Sequence, residues 1–112
     1  MNEININGQI YVKKQSMEEM PYMIVRTYSA GVFAGNIESR NGTEVIIRNA
    51  RRLWYWDGAA SLSQLAVDGV KKPGNCKFPC IVDRIEVMEA IELISVTELA
   101  KKSIEEVPIW KI

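Results

Sequence analysis

Apolar positions along the chain fall mostly in short runs dense in β-branched residues, loosely alternating near the start, which predict strands, and follow a helical spacing in two places. Ile4, Ile6, Ile10 and Val12 alternate around the turn-prone Asn7-Gly8, the pattern of a short hairpin or an exchanged strand. The polar stretch that follows is stopped by Pro21. Residues 1–21 are therefore expected to form an N-terminal extension, flexible or ordered only in an oligomer. Residues 22–28 are rich in β-branched and aromatic side chains and predict the first firm strand. Ser29, Ala30 and Gly31 interrupt it and 32–39 resume it, small residues that allow a bulge or a close backbone approach. Asn41-Gly42 signals a hairpin turn, and 43–48 form the return strand.

Ser61 with Gln64 three residues on fits a capping box, and Leu62, Leu65 and Ala66 supply the stripe of a helix of two turns, stopped at Asp68-Gly69. Residues 71–79 read as a loop carrying Pro73-Gly74. Residues 81–94 read as one long strand or as two in a hairpin-like bend; Ala, Glu, Leu and Met offer a competing helix over VMEAIELI. The density of β-branched residues favours strand. Thr97 and Glu98 open a helix over 97–106 with Leu99, Ala100 and Ile104 inward, and Pro108 ends it. The apolar tail 109–112 is expected to dock on the body or on a neighbouring subunit. The prediction is a small, mainly antiparallel α+β domain over residues 22–112, with a short middle helix and a C-terminal one.

A chain of 112 residues suits one domain with a real core. Fourteen basic and fourteen acidic residues cancel, which argues against a DNA or RNA duplex as partner. No apolar run reaches the length of a membrane span and no signal-peptide pattern is present, so a cytoplasmic location is expected. Cys76 and Cys80 stand alone in CKFPC and the chain has no histidine. Two reduced thiols, no metal site and no cofactor are the expectation. The missing histidine also removes the commonest general base, so the chain reads as a non-enzyme.

One segment concentrates binding chemistry. Arg48, Arg51 and Arg52 with Trp54, Tyr55 and Trp56 fall within nine residues, just before the Ser61 helix start. Arginine forks suit phosphate oxygens, aromatic faces suit bases, and a helix N-terminus favours an anion. The expected ligand contacts here are Asn49, Arg51, Arg52, Trp54, Trp56 and Ser61, and truncating Arg51 or Arg52 is expected to weaken capture while the fold survives. On a regular strand Ala50, Arg52, Trp54 and Trp56 share one face, and Asn49, Arg51, Leu53 and Tyr55 the other. The competing interpretation is a strand whose aromatics pack in a core while its arginines reach solvent. A second candidate joins Arg26, Thr27 and Ser29 as polar contacts to Tyr28 or Phe33 as a stacking platform, against a bulged strand with a buried tyrosine. Phe78, in its Pro-flanked loop, is a stacking candidate or a loop anchor.

The segments VRTYSAGVFAG, RNARRLWYWDGAASLSQLAVDGV and MEAIELI, spread over residues 22–107, resemble small phage and prophage proteins, in particular the first type of Thoeris anti-defence protein. The resemblance implies a phage-encoded sponge in the host cytoplasm. Such proteins bind cyclic ADP-ribose isomers made by bacterial TIR-domain sensors and hold them uncleaved; some also bind cyclic trinucleotide signals. It further implies a homo-oligomer, a dimer or an assembly of dimers, with pockets at subunit interfaces. A phage structural or protein-interaction module, its aromatics buried between subunits, is the expectation of a different class. A nucleotide-cleaving enzyme using carboxylates or Tyr28 ranks last.

Overall fold

The computed structural model describes the backbone of residues 3–6 and 9–12 and all of residues 19–112. The Asn7-Gly8 turn and the polar stretch 13–18 lie outside the described residues. Strands β1 (Glu3–Ile6) and β2 (Gln9–Val12) pair antiparallel as a separate two-stranded sheet, Ile4 opposite Tyr11.

The body is one five-stranded sheet built from β3 (Tyr22–Thr27), β4 (Val32–Asn41), β5 (Glu44–Arg52), β6 (Ile81–Val87) and β7 (Ala90–Ser95). Its order is β6-β5-β4-β3-β7, with every neighbouring pair antiparallel. Helices α1 (Leu62–Asp68) and α2 (Glu98–Glu106) complete a small α+β domain.

Residues 81–94 form two strands that do not pair with each other. They lie on opposite edges of the sheet and are joined by only Met88 and Glu89. Four inter-strand steps of about 4.8 Å would separate those edges by about 19 Å in a flat sheet. The three Cα steps from Val87 to Ala90 reach at most about 11 Å. The sheet is therefore rolled. The Ala90 N–H donates to the Thr43 carbonyl at 3.0 Å and the Tyr28 N–H to the Glu89 carbonyl at 2.9 Å, so the tip of the β4–β5 hairpin meets the start of β7.

The bend comes from irregularities in the β4–β5 pairing, whose register shifts between Ala34 and Asn36 and again between Ile37 and Ser39. At the first shift Asn49 takes φ 51°, a left-handed value that asparagine tolerates better than branched residues do. Opposite it sits Gly35, where a Cβ would come within 2.5 Å of Ile47 Cγ2 and 2.8 Å of the Arg48 carbonyl. A bulged strand twists and bends more than a regular one.

Two turns close differently from the sequence expectation. Residues 28–31 do not interrupt one strand but turn the chain back from β3 to β4. Thr27 builds this turn: its Oγ1 donates to the Gly31 carbonyl at 2.7 Å and accepts from the Ala30 N–H at 2.9 Å. At the next hairpin Asn41 pairs with Glu44, so the loop is Gly42-Thr43, with Gly42 at φ 63°.

Rolling buries both faces of the sheet. Inside the roll pack Val25, Phe33, Ile37, Val45, Ile47, Ala50, Val87 and Ala90. The outer face, with Ile24, Ala34 and Leu53, is covered by Leu65 and Ala66 of α1, by Ile104 of α2 and by Phe78 from the connecting loop. Full burial of side chains such as Ile24, Phe33 and Ile104 stabilises the fold by roughly 1.5–3 kcal/mol each. Leu99, expected inward, is exposed; α2 turns Ala100 and Ile104 to the core instead. Thr97 fixes that rotation by capping the Ala100 N–H at 3.0 Å while its hydroxyl donates to the Val67 carbonyl at 2.6 Å. Among the described residues no helix is long and apolar enough to cross a membrane.

The bulge makes a testable demand. Gly35→Ala is expected to destabilise the domain by roughly 2 kcal/mol through overpacking. Asn49→Gly should stay within about 0.5 kcal/mol of the parent and Asn49→Val should lose about 1–2 kcal/mol. Urea unfolding midpoints at unchanged slope would measure each; a neutral Gly35→Ala would contradict the close approach.

Candidate functional site

The arginine–aromatic run is divided among three environments by the point at which β5 ends. Through residues 50–53 the faces alternate as expected: Ala50 packs inside the roll, and Leu53 packs on the helix side. After Arg52 the regular strand stops. The Leu53 N–H still donates to the Val32 carbonyl at 2.8 Å, but those of Trp54 and Tyr55 both turn to the Lys77 carbonyl, at 3.2 and 3.3 Å. Trp54 and Trp56 consequently do not share a face. Trp54 is turned to solvent, whereas Trp56 packs against the helix-side core.

Arg51 is buried, at 2% exposure. Its Nε donates to the Pro79 carbonyl at 2.9 Å, Nη1 to the Ile104 carbonyl at 2.8 Å and Nη2 to the Phe78 carbonyl at 3.2 Å. The guanidinium also lies over the Phe78 ring, 5.5 Å from its centre. These bonds fasten β5 to the end of α2 and to the 78–79 segment, so this arginine holds the fold rather than presenting its fork outward. Burial pushes its pKa below the ordinary arginine value, against the opposing effect of Tyr22 and Cys80. Tyr22 shares this environment, and burial, then Glu105, raise its hydroxyl pKa far into the alkaline range.

Other expected contacts are likewise committed to structure. Phe33 is buried inside the roll and Phe78 on the helix side, so neither ring is an open stacking platform. Phe78 is the loop anchor. Thr27 is buried with its hydroxyl engaged in the turn. Asn49 is exposed and serves the bulge. The Ser61 hydroxyl accepts from the Gln64 N–H at 3.1 Å, and Gln64 Oε1 accepts from the Ala60 N–H at 2.8 Å. The α1 N-terminus is thus capped by its own side chains, and at seven residues the helix offers little dipole for an anion. Arg26 is paired with Glu92 at 2.8 Å and Ser29 with Glu89 at 3.0 Å. Both sit on the rim of the roll with the exposed Tyr28. Arg52 is half-buried there too, lying 4.4 Å from the Phe33 ring centre and donating to the Ala30 carbonyl.

What remains open is an aromatic surface around Lys77 of the CKFPC loop. Tyr55 and Lys77 form an isolated antiparallel bridge, and Lys77 N–H donates to the Tyr55 carbonyl at 2.7 Å. The tail docks beside them: Ile109 bridges to Phe78, and the Trp110 N–H donates to the Phe78 carbonyl at 3.0 Å. Lys77 Nζ therefore lies 5.9 Å from the Tyr55 ring centre and 5.7 Å from that of Trp110. Tyr55, 50% exposed, and Trp110, 45% exposed, place two open rings within range of this ammonium. Alternation in CKFPC was the available signal, since burying Phe78 turns Lys77 outward. The contribution of Trp110 depends on the tail's docking and had no local signature.

Among the described residues no group of three His, Cys, Asp or Glu side chains could hold a metal ion. Every buried side-chain nitrogen or oxygen among them has a hydrogen-bond partner. The arrangement is suited to holding a planar, anionic molecule by stacking and charge.

Residues 20–104 match a family model described as a domain of unknown function (DUF6948). No curated protein and no solved structure matches the chain.

The two adjacent arginines are expected to separate in mutagenesis. Arg51→Ala takes one donor from each of three carbonyls and opens a cavity, a loss of about 3 kcal/mol or more. Arg52→Ala, on the rim, should lose less than about 1.5 kcal/mol. Thermal or urea unfolding of the two variants would test this; equal stabilities would contradict the buried role of Arg51.

Proposed function

The chain belongs to this family, whose description names no activity, and we propose from its geometry that it is a non-enzymatic binding protein that captures a cyclic ADP-ribose-type nucleotide and holds it uncleaved. The observation that carries the proposal is the exposed pair of Tyr55 and Trp110 around Lys77. An adenine ring stacks on an indole or phenol face, and each such stack contributes roughly 1–3 kcal/mol. The Lys77 ammonium supplies a point charge for the pyrophosphate. Arg52 and Tyr28 on the rim are further donors or stacking surfaces for a ligand reaching that far. The resemblance to Thoeris anti-defence proteins supplies the ligand class and the setting. In that setting a phage-encoded homo-oligomer in the host cytoplasm withholds the TIR-derived signal from its effector, and cyclic oligonucleotides are a second candidate ligand. A histidine-free chain suits capture better than acid–base chemistry.

A second reading, a protein-interaction module with no small-molecule ligand, is favoured by the exposed Ile109 and Ile112 beside the same aromatics. Large aromatics with apolar neighbours are common anchors of subunit interfaces.

One experiment separates the two. The purified protein is mixed with cyclic ADP-ribose isomers, freed of unbound ligand, heat-denatured and the released nucleotide identified by mass spectrometry. The proposal expects intact ligand from the parent. Trp110→Ala and Lys77→Ala, on the surface, should each weaken capture roughly ten-fold or more with the fold intact. A hydrolysed product would indicate an enzyme, and no retained nucleotide at micromolar protein would sink the sponge.

A further inference from the structure

Strand β6 forms one edge of the rolled sheet, and among the described residues no strand pairs with its outer side. Its register with β5 is the same from Val45 opposite Val87 to Arg51 opposite Ile81, with no pair at Asn49, and the strand contains no proline. Seven residues of such backbone are a ready template for another strand.

We propose that this edge pairs antiparallel with β6 of a second copy of the chain, about a two-fold axis passing through Ile85. The register follows from faces and charges. Ile85 and Val87 pack inside the roll, so Arg84, Glu86 and Met88 share the opposite face by alternation, while Val82 lies opposite the inward Ala50. Arg84 and Glu86 already touch across that face at 3.3 Å. A two-fold axis normal to the sheet keeps equivalent faces together, so one residue must lie opposite its own copy. With Arg84 or Asp83 on the axis, like charges would oppose each other. With Ile85 on the axis, Arg84 opposes Glu86 of the second copy twice over.

The adjacent positive and negative positions on either side of Ile85 are thus their own complement. A row of one sign of charge would keep a second copy away. This pair attracts it, and pairing covers the free backbone groups. The proposal does not depend on nucleotide capture.

The test is sedimentation velocity of the full chain at about 100 µM, where weak self-association is visible by mass action. The parent is expected at twice its 12.7 kDa mass or at a higher multiple. Arg84→Glu alone and Glu86→Arg alone each place like charges opposite one another and should weaken association about ten-fold or more. The combined swap, Arg84→Glu with Glu86→Arg, should restore it, with circular dichroism confirming the fold throughout. A monomeric parent, single variants that associate like the parent, or a swap that fails to restore association would each overturn the proposal.

Discussion

Two residues, Met88 and Glu89, have to carry the chain from one edge of a five-stranded sheet to the other. Much of the fold follows from that short link. A flat sheet cannot meet it, so the strands roll until the β4–β5 tip reaches the start of β7. The roll creates an interior that the sheet fills with its own side chains, centred on Phe33 and Val45. It leaves the outer face to the two helices. The bend is concentrated where Asn49 adopts a left-handed backbone and Gly35 lets the neighbouring strand approach. Side chains that would otherwise compete for one surface are thereby sorted into an inside, a helix side and a rim.

Arg51 shows what that sorting does to a functional motif. A buried guanidinium usually has a carboxylate partner, because an isolated charge is expensive to remove from water. Here its direct hydrogen-bond partners are three neutral carbonyls, one from the last turn of α2 and two from residues 78 and 79. One side chain therefore joins the strand, the C-terminal helix and the loop that carries Lys77. The binding surface depends on Arg51 through that loop rather than through contact with a ligand. The adjacent Arg52 points the other way and lies over Phe33, at the edge of the solvent.

Much of the architecture is legible from local pattern. The capping residues Ser61 and Thr97 and the stop at Gly69 delimit two helices because side-chain caps act within a single turn of chain. The hairpin at Gly42 is similarly local. What the pattern does not carry is long-range. Nothing in VMEAIELI indicates that strands two residues apart sit on opposite edges, since the partners that decide it, Val45 and Thr27, are distant in the chain. Phe33, Phe78 and Arg51 look like ligand contacts because aromatic and basic residues serve cores and sites alike. Only the packing of α2 and the 78–79 carbonyls distinguishes the two. Lys77 is inconspicuous for the converse reason, since its aromatic neighbours come from β5's exit and from the chain's last residues.

The central claim is that the surface of Tyr55, Lys77 and Trp110 is where a nucleotide is held, and the chain's tryptophans provide the probes. Trp110 is exposed on that surface, while Trp56 packs into the helix-side core. The most direct measurement is a titration of the labelled protein with a cyclic ADP-ribose isomer, following the three indole N–H resonances by NMR. The account predicts a large, saturable shift of Trp110 and a much smaller one for Trp56. Saturable binding that leaves Trp110 unmoved would contradict it.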